Sequence, residues 1–174
     1  GCRMMCVGFE SGDDAILRNL KKGITTEEMR NFAVLSRRAG ISVHGCFVIG
    51  SPGEAPGSVN KTIKFASELP IDTAQFSGLC AYPGTEFYSW CRNNNYIIAR
   101  DWKEWVDKRK EQRAIIDYPA LSCSAMNKAV DSALYRFYLR PGYIFSQIMR
   151  PKSFQDIKAR LKGLLQFGAY YLKR

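Results

Sequence analysis

The sequence lacks most of the features that would assign a function by themselves. His44 is the only histidine among 174 residues, and no Ser-His-Asp set can be assembled around it, which excludes the usual serine-hydrolase arrangement. No pair among the six cysteines has zinc-ribbon spacing, and no apolar run is long enough to cross a membrane. Cysteines without a secretory signal pattern indicate reduced thiols and a cytoplasmic protein. A lone histidine beside a strand is more often a structural hydrogen-bonding group than a catalyst.

The charge is unevenly distributed along the chain. Residues 1–99 hold 10 Lys and Arg against 9 Asp and Glu, whereas residues 100–174 hold 16 against 7. The second part therefore carries +9 of the net charge of +10. Such a charge is a weak indication of an acidic partner. No recognisable nucleic-acid-binding module accompanies it, so we expect no nucleic acid partner.

The first part of the chain repeats one design three times. In residues 3–13, 43–54 and 73–86, an apolar, strand-like run ends in a turn that contains glycine and a carboxylate. Glycine permits tight bends and lets a flat ligand approach the main chain closely. The most distinctive turn reads GCFVIGSPGE, from Gly45 to Glu54. Taken alone, it is equally compatible with glycines that serve only packing.

Helical patterns follow these runs, over residues 14–22, 26–38, 58–69 and 86–92. Thr25 or Thr26 is the candidate N-cap of the second pattern. Alternating strands and helices with connections of this length predict parallel pairing and an α/β fold, a partial TIM-like barrel with crossover helices. The three turns would then lie at one edge, where the carboxyl ends of the strands meet.

In these turns the sequence resembles the radical S-adenosylmethionine (radical SAM) enzymes. Residues 45–54 resemble the GxIxGxxE motif after the fifth barrel strand, with Phe47 where the pattern usually has Ile. Residues 7–12 (VGFESG) resemble the fourth-strand segment, and residues 82–86 (YPGTE) resemble the end of the sixth strand. The three motifs keep the family's order and spacing. The resemblance implies that residues 1–98 form the carboxyl-terminal half of the barrel, strands 4 to 6.

The same resemblance implies one wall of a site for S-adenosylmethionine (SAM). The candidate cofactor-binding residues at matching positions are Glu10, Ser11, Phe47, Val48, Ile49, Gly50, Glu54 and Tyr82. Those of the first turn would contact the ribose and methionine part of SAM. The residues of the second turn would pack on adenine through their backbone and apolar side chains. The Glu54 carboxylate would mainly order that turn. Tyr82 would close the adenine side.

The family's chemistry requires a CxxxCxxC loop, whose three thiolates hold a 4Fe-4S cluster. This chain contains no such loop. Cys2 and Cys6 have the spacing of the first two cysteines of this motif, but Phe9 stands where the third cysteine would be. Both cysteines are therefore predicted to be buried small hydrophobes. We predict no metal ligand and no catalytic residue here. The intact enzyme is expected to cleave SAM reductively at its cluster, and this chain alone is expected to be inactive.

Residues 133–141 (ALYRFYLRP) resemble a segment of the branch that often carries an amino-terminal cobalamin-binding domain. The anaerobic magnesium-protoporphyrin monomethyl ester cyclase and hopanoid-associated enzymes belong to that branch. The resemblance therefore implies cobalamin as a possible second cofactor. Because the chain opens without an initiator Met, we expect a larger enzyme, with the remaining barrel half and a cobalamin domain as its partners.

Residues 99–174 are predicted to form a basic, mainly helical extension. Helical patterns cover residues 124–139, 143–149 and 153–172, and the last is basic and amphipathic. Its apolar side either packs on the rest of the protein or lies on a membrane surface. The alternative function is accordingly a non-enzymatic module that uses residues 153–174 on a membrane or an acidic partner. That function would make the cytoplasmic protein peripheral to the membrane.

Overall fold

The computed structural model of the chain describes residues 1–106, 114–149 and 163. The chain divides into two compact units, Gly1–Phe137 and Tyr138–Arg174. The domain boundary expected between residues 98 and 99 stays a prediction. The amphipathic helix predicted over residues 153–172, and with it the membrane contact of residues 153–174, falls outside the described residues except for position 163.

Three parallel strands form one sheet in the first unit. They are β1 (Met4–Glu10), β2 (Ser42–Ile49) and β3 (Thr73–Gly78), in the order β1-β2-β3. Each connection must cross over the sheet, since parallel neighbours cannot be joined by a tight hairpin. The register of β1 against β2 shifts between Gly8 and Glu10, at the start of the first turn.

Helices occupy the crossovers and follow the last strand. They are α1 (Asp14–Asn19), α2 (Thr26–Arg38), α3 (Pro56–Glu68), α4 (Glu86–Asn93), α5 (Cys123–Tyr138) and α6 (Pro141–Met149). The predicted α/β class, with parallel strands, crossover helices and a helical carboxyl-terminal part, is confirmed, and the arrangement is consistent with a partial barrel. In the described parts of the chain, no helix combines the length and apolar character that a membrane crossing requires.

The start of α2 shows how local sequence sets an element boundary. Thr25 is the N-cap: its hydroxyl accepts a hydrogen bond from the Glu28 amide at 3.3 Å, and the Glu28 carboxylate accepts one from the Thr25 amide at 2.8 Å. This capping box satisfies two amides that the first helical turn leaves unpaired. The chain leaves the helix at Gly40, whose φ of 72° is the left-handed conformation that glycine adopts easily.

A row of five phenylalanine rings ties the sheet to its helices. Phe9, Phe47 and Phe76, one from each strand, stack with centroid separations of 5.7 and 5.1 Å. Phe32 of α2 meets one end of the row at 6.4 Å, and Phe137 of α5 meets the other at 6.3 Å. We call this set the phenylalanine row. It forms the centre of the core, and Phe47 in its middle is 1% exposed.

The opposite side of the sheet is more accessible, and we call it the open face. Along β2 the burial alternates strictly, with Val43, Gly45, Phe47 and Ile49 buried and the residues between them half-buried. On β3, Gln75 is exposed while its neighbours on either side are buried. Because side chains alternate between the faces of a strand, His44, Cys46 and Val48 all belong to the open face.

Truncation of neighbouring residues on β2 tests this assignment of the two faces. Phe47→Ala is expected to lower the free energy of unfolding by about 3–5 kcal/mol, because it empties a fully buried position between two rings. Val48→Ala, on the open face, is expected to cost only about 1 kcal/mol. Urea unfolding followed by circular dichroism measures both. Equal losses would contradict the assignment.

Candidate functional site

The three glycine-containing turns lie at one edge of the sheet, as expected, because all three strands are parallel. Two side-chain contacts connect α1 and the residue Lys21 after it, which follow the first turn, to the second and third turns. The Asn19 amide donates to the Pro52 carbonyl at 2.9 Å, which joins α1 to the second turn. The Lys21 ammonium pairs with the Glu86 carboxylate of α4 at 3.0 Å, which joins the end of α1 to the third turn. The structure thus brings the three segments to one rim.

Glu10 ends β1 in a strained conformation. Its φ of 64° is uncommon for a residue other than glycine. Its carboxylate lies directly over Gly8, where a Cβ atom would collide with it, and accepts a hydrogen bond from the Lys22 ammonium at 3.0 Å. The Glu10 side chain keeps 24% of its exposure. A partly accessible carboxylate therefore stands at the edge of the open face.

Ser11, the next candidate, lies on the inner side of the same turn. It is fully buried, and its hydroxyl shares a hydrogen bond of 3.0 Å with the Thr62 hydroxyl of α3. The hydroxyl also accepts from the Asp13 amide at 3.2 Å. Gly12 lies so close to α3 that an added Cβ would come within 2.5 Å of the Phe65 Cβ. These contacts fasten the turn to α3 and leave the Ser11 hydroxyl engaged within the protein.

Glu54 holds the second turn together. One carboxylate oxygen accepts hydrogen bonds from the amides of Gly50 at 2.6 Å and Ser51 at 3.0 Å, and Gly50 has a φ of 107°. The residue is 2% exposed, and its other oxygen has no hydrogen-bond partner among the described residues. Burial raises the pKa of the Glu54 carboxyl above its ordinary value, although the two amide hydrogen bonds oppose that rise and nearby Asp13 adds to it.

The apolar candidates of β2 point in two directions. Phe47 and Ile49 are 1% and 0% exposed and belong to the side of the sheet that carries the phenylalanine row. Val48 belongs to the open face. Of these three side chains, only Val48 is placed to meet a ligand on the open face, and the Ile49 carbonyl already accepts a hydrogen bond from the Leu79 amide at 2.7 Å. Their assignment to adenine stays a prediction.

The third turn carries Tyr82, which is 55% exposed. Its ring lies 6.0 Å from that of Trp105, and its carbonyl accepts a hydrogen bond from the Thr85 hydroxyl at 2.7 Å. The same hydroxyl caps α4 by accepting from the Tyr88 amide at 3.0 Å. The turn is therefore well ordered beneath an accessible aromatic ring.

Two cysteines differ from their prediction. Cys2 and Cys6 are exposed rather than buried, because Cys2 precedes β1 and Cys6 lies on the open face. Within the described residues, Cys6, His44 and Cys46 form a group whose ligand atoms all lie within 4.8 Å of one another. Sequence reasoning missed this group. The available signal was the spacing of two residues between His44 and Cys46, which places both on one side of a strand.

The side chains at the rim fit SAM better than they fit a 4Fe-4S cluster. A carboxylate at a strand end, an apolar side chain on the open face and an accessible aromatic ring suit a nucleoside, which presents hydroxyl groups and a flat base. A 4Fe-4S cluster does not fit, because it needs three thiolates of one loop, whereas Cys6 and Cys46, whose sulfur atoms are 3.6 Å apart, lie on two neighbouring strands.

Comparisons with known proteins find methyltransferases. No family model matches the sequence. An uncharacterized methyltransferase of Pyrococcus horikoshii is 31% identical over 171 residues, 98% of this chain. Bacteriochlorophyllide d C-12(1)-methyltransferase of Chlorobaculum tepidum is 32% identical over 108 residues, 60% of the chain. Cytidylyl-2-hydroxyethylphosphonate methyltransferase of Streptomyces wedmorensis is 26% identical over 128 residues, 70% of the chain.

The chain is thus similar to one methyltransferase along nearly its whole length and to two others along 60% and 70% of it. It corresponds to only a part of each of them, since it spans 36%, 23% and 23% of these three relatives.

The pH dependence of stability tests the burial of Glu54. Because the raised pKa means that the folded state holds the proton more tightly, the wild-type protein is expected to lose stability relative to Glu54→Gln as pH rises. The loss begins near the unfolded pKa of about 4.3 and ends above the raised folded value. Urea unfolding across this range measures it. Glu86→Gln, at an exposed carboxylate, is the control and should show no such trend; a pH-independent difference for Glu54→Gln would contradict the burial argument.

Proposed function

We propose that this chain forms the adenine and ribose side of the SAM site of a radical SAM enzyme. The observation that carries the proposal is the meeting of three glycine-containing turns at the carboxyl edge of one parallel sheet, with the Glu10 carboxylate folded over the open face beside them. Ligands of open α/β sheets and barrels bind at this edge.

The relatives support the more general part of the proposal, which is that the site binds SAM. All three are named methyltransferases, and a methyltransferase needs a methyl donor. SAM, when bound, supplies an activated methyl or adenosyl group. The finer assignment to the radical SAM class depends on the order and spacing of the motifs at residues 7–12, 45–54 and 82–86.

The candidate residues divide into two roles in this proposal. Glu10 accepts hydrogen bonds from the ribose hydroxyls, Val48 packs against the base and Tyr82 covers its outer side. The other five residues hold the turns in shape, and they are Ser11, Phe47, Ile49, Gly50 and Glu54. This division follows their burial and the hydrogen bonds that Ser11 and Glu54 make within the protein.

The rest of the site is proposed to lie in other parts of a longer protein. The described residues do not fit a 4Fe-4S cluster, so a cluster would be held by a separate CxxxCxxC loop. The chain spans 36% of its Pyrococcus relative, which leaves room for that loop, for the remaining barrel strands and for a cobalamin-binding domain. Cobalamin is the most specific part of the proposal. It is based on the resemblance of residues 133–141 to the branch that carries a cobalamin-binding domain.

Two substitutions in one ion pair test the role of Glu10. Glu10→Gln is expected to weaken SAM binding on the order of tenfold, because hydrogen bonds to a charged group contribute about 1.5–3 kcal/mol. Lys22→Gln breaks the same ion pair but keeps the carboxylate, and should change affinity by about twofold or less. Titration calorimetry and ligand-observed NMR on the 174-residue chain measure SAM and S-adenosylhomocysteine. Equal losses in both variants would show a structural role for Glu10, and no binding to the wild-type chain would count against the proposal.

A second candidate function concerns the carboxyl-terminal part of the chain. Residues 100–174 carry a net charge of +9. In the second compact unit, α6 exposes Phe145 at 66% and Ile144 at 41%. Cationic and aromatic side chains together suit the surface of an anionic bilayer. We propose that this part places the enzyme on a membrane surface or an acidic partner.

Liposome flotation tests this second proposal. The whole chain is expected to float with vesicles containing anionic lipid, and a chain ending at residue 152 is expected to float less, because it loses the basic amphipathic segment. Raising the salt concentration should weaken the interaction. Vesicles of neutral lipid are the control. Absence of flotation would exclude the membrane role, and flotation unaffected by the truncation would exclude residues 153–174 from it.

A further inference from the structure

The open face carries a group of side chains that commonly bind metal ions, on β1 and β2. Cys6 lies opposite His44 in the register of β1 against β2, and Cys46 lies two residues further along β2. The pairing places all three side chains on one side of the sheet. Cys6 is exposed and the other two are half-buried, so the group is accessible to an ion.

The separation of the two sulfur atoms suits a shared ion. They are 3.6 Å apart. Two thiolates on one tetrahedral zinc ion, each at about 2.3 Å, stand about 3.8 Å from each other. A disulfide would need a separation of about 2.05 Å. The sulfur atoms are therefore spaced for an ion between them without a large movement of either strand.

The histidine ring is held in a way that is typical of metal ligands. His44 Nδ1 lies 2.7 Å from the Thr73 hydroxyl on β3. A ligating histidine commonly donates its second N–H to a neighbouring oxygen, which sets the tautomer and the ring orientation. In the tautomer in which Nδ1 donates to the Thr73 hydroxyl, Nε2 carries the lone pair that binds a metal ion.

One ion pair lies beside the group. The Glu10 carboxylate lies over Gly8, the residue paired with Cys46, and the Lys22 ammonium pairs with that carboxylate at 3.0 Å and balances its charge. Sulfur binds a divalent metal ion as a thiolate, so each thiol that becomes a ligand gives up its proton to water when the ion binds.

We propose that Cys6, His44 and Cys46 form a site for a thiolate-binding divalent ion of the zinc type. Two sulfur ligands and one imidazole suit Zn²⁺ among the common divalent ions. Three protein ligands leave one tetrahedral position for water or a substrate atom, and that position faces the open side of the sheet. Glu10, a proposed SAM contact, lies beside this group, but none of the three ligand residues is a proposed SAM contact, so the metal site does not depend on SAM binding.

Cobalt titration of the 174-residue chain, kept reduced, tests the proposal. We expect one Co²⁺ per chain, the visible absorption of a tetrahedral ion and a near-ultraviolet thiolate-to-cobalt band, and displacement by Zn²⁺. Cys6→Ser and Cys46→Ser should each diminish the thiolate band, and His44→Gln should weaken binding. Thr73→Val, which removes only the partner of His44, should weaken binding by about tenfold.

Cys2→Ser is the matched control, since Cys2 is exposed and lies outside the group. It should bind Co²⁺ as the wild-type chain does. Circular dichroism and urea unfolding check that each variant is folded, and Cys6→Ser keeps the test valid if Cys46→Ser is not, because Cys6 is exposed. The proposal is overturned if the reduced chain binds no Co²⁺ or Zn²⁺, if Cys6→Ser binds equally well, or if Cys6 and Cys46 are joined in a disulfide that reductant does not open.

Discussion

The phenylalanine row is the interaction on which the rest of the structure depends. It joins all three strands to α2 and α5 on one side of the sheet. Because strand side chains alternate, burying Phe47 on that side commits its neighbours to the other. A slip of β2 by one residue would place His44 and Cys46 in the core and Phe47 on the open face. The packing of these rings thus decides which side chains lie on the open face.

The turns illustrate a second constraint, the cost of burying polar groups. A buried carboxylate is tolerated only where hydrogen bonds replace the water that it loses. Glu54 meets this condition at one carboxylate oxygen, which accepts from two backbone amides, and the buried Ser11 hydroxyl meets it through the Thr62 hydroxyl. Both side chains are thereby engaged in holding the turns. Glu10, at the same rim, keeps a partly accessible carboxylate that a ligand can reach.

Much of the fold could be predicted from local patterns. The strand runs, the helix that begins after Thr25 and the common edge of the three turns all follow from periodicity, capping and parallel pairing. The prediction for Cys6 was wrong. Alternation shows which residues share a side of a strand, but an amphipathic or mixed strand does not reveal which side the helices cover. For the same reason, the motif alone could not separate Val48 from Phe47 and Ile49.

The sequence by itself determined the order of elements, the glycine turns and the candidate residues of the rim, since these depend on neighbours along the chain. Only the tertiary structure decided which candidates are buried and which face outward, because that depends on residues distant in sequence. Met126 packing over Gly50 and Thr73 bonding to His44 are examples. The grouping of Cys6 with Cys46, forty residues away, likewise arises from strand pairing and register.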